Sequence, residues 1–397
     1  MCFCNVYIAI RQPMLQRLLI YIVFLLLITT SAGAQVIEVG LFAYKSMKKV
    51  TIITEKDSYI IYGDGIRISE LLQFEGMRVE YKNGKIAIRS LSNDFGSYSN
   101  VEFRAQTKSS VLTIKGTEPK TNEGQYNNHL KINISANALQ LVNLVYIENY
   151  VGGVVEAETG KDRPYEFYKV QSIISRTYAL ANFKRHEAEG YQLCDAVHCQ
   201  VYHGLSRFEK LIPKAVLSTE GIVIVNSDID LITAAFSSNC GGKTRNAEDV
   251  WSKSVSYLKS RTDTFCLDSK NAQWTKTISL KDWRSYEEKE HATPVQASNG
   301  KGSMTMDDSY SEFIFDKDDL IAMRRHFGFK STRFMMKRGN DSIIFIGRGF
   351  GHGVGLCQEG AISMGGKGYS YKEILESYYT DIHLIQLSSL NFFKSEE

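Results

Sequence analysis

Apolar and polar residues alternate along most of residues 36–110. Short runs rich in β-branched residues repeat this alternation, which is typical of strands with one buried face. These runs are VIEVGLFAY, KVTIITE, SYIIYGDG, MRVEYKNGKIAIRSL and VEFRAQ. Asn83-Gly84 separates two alternating stretches and predicts a tight hairpin turn. The first third of the chain is therefore predicted to be β-rich.

The pattern changes after residue 115. The polar stretch 116–128 is predicted to be a long surface loop, and HLKINISA and LQLVNLVYI are predicted to be strands. A helix should begin at Pro164, which the first helical turn tolerates, and end near Gly190. Apolar residues recur along it with a spacing close to 3.6, at Phe167, Val170, Ile174, Tyr178 and Ala181.

Strands and helices continue to the end of the chain without regular βαβ alternation. GIVIV, LITAAFSS and SIIFIG indicate strands, while 211–218 and 371–379 indicate short helices. This mixture predicts an α+β fold. We expect a β-rich N-terminal part over 35–128 and a mixed α/β core over 129–385, with a polar insertion at about 285–335.

The N-terminal segment has the pattern of a secretory signal peptide. Arg11 and Arg17 precede the apolar run LLIYIVFLLLITT, which meets the small residues Ser31-Ala32-Gly33-Ala34. We expect residues 1–34 to be removed and the protein to be exported, to the periplasm or cell envelope. No transmembrane segment is then expected to remain. An uncleaved membrane anchor is the alternative, because the apolar run with its flanks is nearly long enough.

Composition and charge exclude several classes of protein. Hydrophobic residues make up 43% and charged residues 23%, which is typical of a globular chain and excludes a disordered or collagen-like one. The formal net charge is +3, and two of the positive charges lie in the predicted signal segment. Because the remainder is close to neutral, no nucleic-acid partner is expected.

Cysteine usage depends on the predicted export. Five cysteines follow residue 34, at positions 194, 199, 240, 266 and 357. In an oxidising compartment an odd number leaves one thiol free, bound to a metal or paired with another chain. The count alone does not choose among these.

Three glycine-bearing segments are candidates for a functional site: YVGGVVEAE at 150–158, SSNCGGKT at 237–244 and GRGFGHGVGLCQEGA at 347–361. The third has five glycines between 347 and 355 around one histidine. Such density indicates backbone conformations closed to other residues, or close approach of a ligand. The segment lacks the Lys-Ser/Thr ending of a phosphate-binding loop and the setting of a dinucleotide fingerprint. A binding-site wall and a tight structural turn both remain open.

These segments, with ISRTYAL, CDAVHCQVYHG and AEDVW, resemble in order the motifs of the stage II sporulation protein D family, also called the SpoIID/LytB or amidase-enhancer domain. The resemblance covers nearly all of the chain after residue 34, apart from 285–335. The family's catalytic members are lytic transglycosylases that act on peptidoglycan glycan strands without stem peptides. The resemblance thus implies cleavage of the bond between N-acetylmuramic acid and N-acetylglucosamine, leaving 1,6-anhydro ends, in a glycine-rich substrate groove.

The resemblance implies that Glu158, which closes the motif GVVxxE, is the catalytic acid. One carboxylic acid is enough for this reaction, because the sugar's own C6 hydroxyl attacks C1, whereas ordinary glycosidases use two carboxylates. The preceding Val154-Val155 predicts partial desolvation and a raised pKa. Glu156 is the rival and should face another side. Thr159 stands where the family has Met.

A zinc ion held by one histidine and two cysteines is also implied by the resemblance. The residues that match are His186, Cys194 and Cys199, with a fourth ligand such as water completing a tetrahedral site. Such a metal would be structural or would shape the site. A Cys194–Cys199 disulfide and a set with His198 in place of His186 both stay open.

The family has serine where this chain has Cys240 and Cys357. This departure suggests a disulfide between the two segments, with Cys240–Cys266 as the competing pair. The predicted substrate-binding residues are His352, Gln358, Ser237, Thr244, Tyr202, Gly351 and Gly353. Tyr202 is expected to stack on a sugar face, and the other side chains to bond sugar hydroxyls or orient Glu158. Arg176 and Tyr178 are equally well explained as packing residues.

A function of another class is left open by the resemblance. The chain would then be a non-catalytic module that binds glycan strands of the cell wall and enhances an N-acetylmuramoyl-L-alanine amidase. Glu158 in its motif favours the enzyme, while Thr159 favours the module.

Overall fold

Strands dominate residues 36–146, and most of the helices follow them. The computed structural model describes residues 35–251, 253–290, 295–296, 313–314 and 317–394. The predicted signal peptide 1–34 and part of the predicted insertion lie outside the described residues.

Two sheets account for the N-terminal strands. The seven-stranded sheet has the order β13-β1-β12-β11-β8-β3-β4, with β1 Val36–Leu41, β3 Tyr59–Gly63, β4 Ile66–Leu71, β8 Val101–Ala105, β11 His129–Ser135, β12 Ala138–Tyr146 and β13 Leu193–Cys194. The six-stranded sheet has the order β10-β9-β2-β5-β6-β7, with β2 Lys49–Lys56, β5 Gly76–Lys82, β6 Lys85–Arg89, β7 Asp94–Tyr98, β9 Val111–Glu118 and β10 Lys120–Asn127. The prediction of a β-rich N-terminal part is confirmed.

The hairpin at Asn83-Gly84 is confirmed as well. Strands β5 and β6 pair antiparallel up to Lys82 and Lys85, which leaves a two-residue loop. Asn83 and Gly84 both have positive φ, 50° and 75°. Positive φ at both central positions is what a type I′ turn requires, and Asn-Gly meets this requirement at low steric cost.

The prediction of a loop at 116–128 is wrong, because this stretch contains β10 paired antiparallel with β9. β10 lies at the edge of its sheet, and its exposed positions carry the polar residues that hid the strand. Gly124 and Tyr126 are buried on its other face. An edge strand needs only one apolar face, so its polar content is no argument against pairing.

The first core lies on the inner faces of these strands. Alternate residues such as Val50 and Ile52 of β2 and Leu130 and Ile132 of β11 are fully or almost fully buried. β11 also pairs with β8, so the seven-stranded sheet extends across the predicted boundary between 128 and 129.

The remaining elements form the mixed part of the fold. The helices are α1 Ile147–Thr159, α2 Tyr165–Ala181, α3 Leu211–Ser218, α4 Ala247–Trp251, α5 Leu280–Glu290, α6 Lys317–Phe327, α7 Gln358–Gly366, α8 Tyr371–Tyr378 and α9 Leu387–Lys394. The strands are β14 Ile222–Val225, β15 Phe236–Ser237, β16 Gln273–Ser279, β17 Val295–Gln296, β18 Phe313–Ile314, β19 Phe334–Arg338, β20 Ser342–Arg348, β21 Leu356–Cys357 and β22 His383–Gln386. The described chain is thus α+β, as predicted. None of its helices combines the length and apolar character that a membrane span requires.

Helix α2 begins after Pro164, as predicted, but ends at Ala181 and not near Gly190. The Asn182 side chain donates a hydrogen bond to the carbonyl oxygen of Tyr178, 2.9 Å away, at the helix end. A turn and a short 3₁₀ helix follow, and Gly190 ends the 3₁₀ helix in the left-handed conformation with φ of 87°. The glycine signal was therefore real but belongs to a second, separate element.

Helix α2 lies between two cores. Tyr168 and Ala179 belong to the core of the N-terminal sheets, while Phe167 and Val170 pack in a second core with α7 and α8. Arg176 is fully buried, and its guanidinium bonds both carboxylate oxygens of Glu148 at 2.8 and 2.5 Å. A fully buried guanidinium needs such pairing, so Arg176 is a packing residue.

A third core is aromatic and joins β16, β19 and β20 to α5 and α6. Stacked and edge-on rings fill it, including Trp274, Trp283, Phe329 and Phe345. The described ends of the predicted insertion, in α5 and α6, are part of this packed unit.

Candidate active site

Glu158 lies in the last turn of α1, which ends at Thr159. Its Oε1 accepts a hydrogen bond from the backbone N–H of Val201 at 2.9 Å. Partial burial raises the pKa of Glu158 above its usual range, and the Val201 hydrogen bond and the nearby His203 offset this only in part. A carboxyl with a raised pKa stays protonated to higher pH, which is what a general acid needs.

Glu156 has a different environment from Glu158. Its carboxylate accepts hydrogen bonds from the Ser206 hydroxyl at 2.9 Å and from three consecutive backbone N–H groups, those of Arg207, Phe208 and Glu209, at 2.9–3.1 Å. These donors hold the start of the 206–209 segment and occupy the carboxylate. Glu156 is therefore explained as a structural anchor.

The two glycines of the YVGGVVEAE segment are not equivalent. A Cβ on Gly153 would lie 1.9 Å from the carbonyl oxygen of Gly204, whereas a Cβ on Gly152 would have Ser206 Cβ as its nearest neighbour, at 3.8 Å. Gly153 thus lets α1 lie directly against the backbone of 202–204. This contact brings Val201 within hydrogen-bonding distance of Glu158.

Four side chains that could bind a metal lie close together between positions 186 and 199. One ligand atom each from His186, Cys194, His198 and Cys199 lies within 4.8 Å of all the others. The sequence left His186 and His198 as alternatives, and the structure brings both together because α2 ends early and a turn returns His186 toward 194–199. Both cysteines are free thiols.

The histidines of this cluster are arranged as metal ligands usually are. His186 Nε2 and His198 Nδ1 are 3.3 Å apart, and the other nitrogen of His186 lies 3.3 Å from the Glu189 carboxylate. In a tetrahedral zinc site two bound nitrogens are about 3.4 Å apart, and a second-shell carboxylate commonly orients the ring. Burial lowers the pKa of His198, which favours the neutral, metal-binding form. The four side chains therefore fit a tetrahedral cation of the zinc class.

His352, predicted to bind substrate, is held by its own backbone surroundings. Its Nδ1 accepts from the N–H of Val354 at 3.0 Å, and a second hydrogen bond joins the ring to the backbone of Phe236. Burial lowers the pKa of His352 to about 4, so the ring is neutral at pH 7. The backbone thus holds the ring through Nδ1, and the ring packs against Trp251 with centroids 5.2 Å apart.

The glycine-rich loop lies against 235–241. Gly351 approaches Ser237, since a Cβ added there would be 2.9 Å from the serine Cβ. The Ser237 hydroxyl is buried and lacks a hydrogen-bond partner among the described residues. Gln358 is buried, and its amide donates to Gln171 of α2 at 3.3 Å. Gly353 is also buried, with φ of 74°.

Two of the predicted substrate-binding residues have structural roles. Thr244 is buried, and its hydroxyl accepts from the backbone N–H of Arg261 at 2.8 Å. Tyr202 is only 2% exposed, packs on Tyr150, and donates its hydroxyl to Asn143 at 3.1 Å. A ring that stacks on a sugar must present an open face, so the prediction for Tyr202 is not supported.

A cavity of about 680 Å³ was not predicted from the sequence. Its lining includes Arg245, Arg324, Trp251, Phe329, Thr332 and His352. Trp251 is 41% exposed. Burial lowers the pKa of Arg245 and of Arg324, which reflects partial desolvation of both guanidinium groups. The AEDVW motif was the available signal, but its tryptophan was given no role.

Comparisons with known proteins fit this geometry. The family model described as stage II sporulation protein matches residues 135–226. This range includes Glu158 and the four possible metal ligands His186, Cys194, His198 and Cys199, here called the first cluster. An uncharacterized protein of Brachyspira hyodysenteriae is 30% identical over 268 residues, covering 63% of this chain and 70% of that protein. The chain belongs to the stage II sporulation protein D family.

Members with more informative names are also similar. The stage II sporulation protein D of Bacillus subtilis is 28% identical over 270 residues, 63% of this chain and 77% of its own length. That of Bacillus amyloliquefaciens is 26% identical over 314 residues, 74% of this chain and 89% of its own length. A Bacillus subtilis protein named amidase enhancer is 28% identical over 282 residues, which is 57% of this chain but 39% of that longer protein.

Proposed function

We propose that this member of the family is an exported lytic transglycosylase of the bacterial cell wall, with Glu158 as its acid and base. The observation that carries the proposal is the environment of Glu158: partly buried, raised in pKa, and fixed through one oxygen by Val201 N–H. Glu156, the nearest rival in sequence, is occupied by backbone donors. One available carboxyl matches a reaction that needs one.

The proposed reaction uses no water. Glu158 in its acid form donates its proton to the oxygen that links C1 of N-acetylmuramic acid to C4 of N-acetylglucosamine, and the C1–O bond breaks. The C6 hydroxyl of the muramic acid attacks C1, and the Glu158 carboxylate takes the hydroxyl proton. The products are a 1,6-anhydro end and a free C4 hydroxyl. Glu158 returns to its acid form, so a single group completes the cycle.

A cation in the first cluster would support this geometry. His186, Cys194, His198 and Cys199 would hold it, and zinc bound there would supply a fixed link between the end of α2 and the 194–199 segment. Val201 follows Cys199 by two residues. A rigid 194–199 segment therefore keeps Val201 N–H in place on Glu158, which is a positioning role for these four ligands.

The cavity beside His352 suits part of a glycan from which peptides have been removed. Removing the stem peptide leaves a free lactyl carboxylate on each muramic acid. Arg245 and Arg324 are partly desolvated cations that an anion would neutralise, and the exposed Trp251 offers an apolar ring to a sugar face. We propose that these three residues contribute to a preference for peptide-free strands.

The test is cleavage of peptide-free glycan strands by the full chain, followed by mass spectrometry. Glu158→Gln is the decisive variant and Glu156→Gln the matched control. We expect products about 18 Da lighter than hydrolytic fragments from the wild type, and a loss of at least about 100-fold with Glu158→Gln, in the range expected for a general acid. Glu156→Gln should retain cleavage once the folded fraction is allowed for. Hydrolytic fragments, or equal losses in both variants, would refute the mechanism.

The second candidate is a non-catalytic enhancer of a cell-wall amidase. The amidase enhancer relative favours it, and so does Thr159, which stands where the family has Met. The Thr159 hydroxyl is buried and donates to the carbonyl oxygen of Val155 at 2.7 Å, so it closes the helix without facing a ligand. If the wild type binds strands but leaves them intact, and Glu158→Gln still stimulates an N-acetylmuramoyl-L-alanine amidase, this candidate is the right one.

A further inference from the structure

A second group of metal-binding side chains lies in the core between α2, α7 and α8. It brings together Cys240 from the SSNCGGKT segment, Asp263 and Cys266 from the segment that follows, and Cys357 at the start of α7. One ligand atom from each lies within 4.8 Å of all the others, and all four residues are buried. The three cysteines are free thiols.

The distances within this group match a tetrahedral metal site. Cys240 Sγ lies 3.6 Å from Cys266 Sγ and 3.2 Å from Asp263 Oδ2. With zinc–sulfur bonds of about 2.3 Å and a zinc–oxygen bond of about 2.1 Å, a tetrahedron places two sulfurs about 3.8 Å apart and a sulfur and an oxygen about 3.6 Å apart. Small shifts would be enough to bind an ion.

Hydrogen-bond donors contact two of these four side chains. Two backbone N–H groups, those of Cys240 and Gly360, donate to Cys357 Sγ at 3.3 and 3.4 Å. The Tyr378 hydroxyl donates to Asp263 Oδ2 at 3.0 Å, and the N–H of Phe265 donates to Oδ1 at 3.0 Å. Donors aimed at ligand sulfurs and carboxylates are typical of the second shell of metal sites.

We propose that Cys240, Asp263, Cys266 and Cys357 form a second metal site, separate from the cluster near Glu158, which takes a thiophilic divalent cation of the zinc class. Three sulfur ligands select such a cation over calcium or magnesium. Four protein ligands leave no open position, so the site is structural. It ties the SSNCGGKT segment, against which the glycine-rich loop packs, to Cys357, which follows that loop in the chain.

The experiment is metal analysis of the full chain purified without chelator. The variants are Cys266→Ser, Cys266→His, which keeps a ligand, and Cys194→Ser with Cys199→Ser, which removes the first cluster. We expect Cys266→Ser to carry one equivalent of zinc less than the wild type, and Cys266→His to recover it. The Cys194/Cys199 variant should keep one equivalent. Equal zinc content in the wild type and Cys266→Ser would overturn the proposal.

A measurement on the wild type alone keeps the test decisive if Cys266→Ser does not fold. Alkylation after chelation and denaturation, without reductant, should modify all three cysteines of the site. Protection of Cys240 and Cys266 together with a mass about 2 Da lower would show a disulfide between them, and would overturn the metal site.

Cobalt added to the folded, metal-depleted Cys194/Cys199 variant should give one equivalent of thiolate charge-transfer absorption. Absence of this band would also overturn the proposal.

Discussion

Replacing Gly153 by alanine tests the packing that places Val201 on Glu158. The new Cβ would lie 1.9 Å from the carbonyl oxygen of Gly204 and 2.8 Å from Tyr202 Cε2. The helix and the segment must separate by more than about 1 Å to reach ordinary contact distances. Gly204 has no room to retreat, since a Cβ on it would lie 2.0 Å from the carbonyl oxygen of Gln125.

The matched control is Gly152→Ala, one residue earlier in the same helix. Its Cβ would meet nothing closer than Ser206 Cβ at 3.8 Å. Alanine is favoured over glycine in a helix by about 1 kcal/mol, and this gain is common to both variants. The difference between the variants therefore isolates the clash, which should lower the unfolding free energy of Gly153→Ala by about 1–3 kcal/mol relative to Gly152→Ala.

Equilibrium unfolding in urea measures this difference, provided that both variants show the same dependence on denaturant. Cleavage of glycan strands is the second readout, because a displaced 202–204 segment also displaces Val201. We expect Gly153→Ala to lose activity even where it is fully folded, and Gly152→Ala to retain it. Unfolding free energies that agree within about 0.5 kcal/mol would refute the packing argument.

Three further predictions concern charge and metal. The pKa of Glu158 is higher in the folded than in the unfolded state. The protonated Glu158 side chain therefore stabilises the fold below its unfolded pKa, and this stabilisation is lost as pH rises through its folded pKa. Glu158→Gln should thus raise the denaturation midpoint near pH 8 and do so less near pH 4; a pH-independent difference would contradict this. His198→Ala should lower the zinc content measured by elemental analysis, whereas His203→Ala should not; equal content would remove His198 from the ligand set. Arg176→Met should destabilise by about 3 kcal/mol in chemical denaturation, because Glu148 loses its partner, and adding Glu148→Gln should recover part of this; no recovery would argue against the pair.

Glycine density predicted unusual backbone conformations in the 347–355 loop, and this part of the reasoning is confirmed. Gly349, Gly351, Gly353 and Gly355 all have positive φ, between 69° and 106°. What the glycines approach could not be read from the sequence. A Cβ on Gly355 would lie 2.2 Å from the carbonyl oxygen of Ala235, so the loop packs against the protein's own 235–241 segment. Such a contact depends on tertiary structure alone.

For the first cluster as well, only part of the arrangement could be predicted from the sequence. The resemblance to the family implied a metal held by His186, Cys194 and Cys199, and His198 stayed open as an alternative to His186. Whether His186 or His198 took part depended on where α2 ends, and taking Gly190 as the stop signal placed that end beyond the actual one at Ala181. Boundaries depend on side-chain caps such as Asn182, which a period of 3.6 does not register.

The predictions for the substrate-binding residues agree least with the contacts that these residues make in the structure. Polar residues near a glycine-rich loop were expected to face a ligand, yet Thr244 and His352 bond the surrounding backbone. Where two backbone segments pack closely, a polar side chain between them can be buried and not face a ligand. Most buried polar groups are then hydrogen-bonded within the protein. The Trp251 cavity depends on α6 packing beside α4, which no local pattern predicts.

The segment matched by the family model is joined to the rest of the chain at both of its ends. It begins at residue 135, the last residue of β11, and β12 lies between β11 and β1 in the seven-stranded sheet. It ends at residue 226, just after β14, which pairs with β22 from Ile222↔Gln386 to Val225↔His383. The region that carries Glu158 and the first cluster is therefore not an independently folding cassette. It cannot be excised or transplanted without its flanks, because the seven-stranded sheet and β22 supply the strands that its own strands pair with.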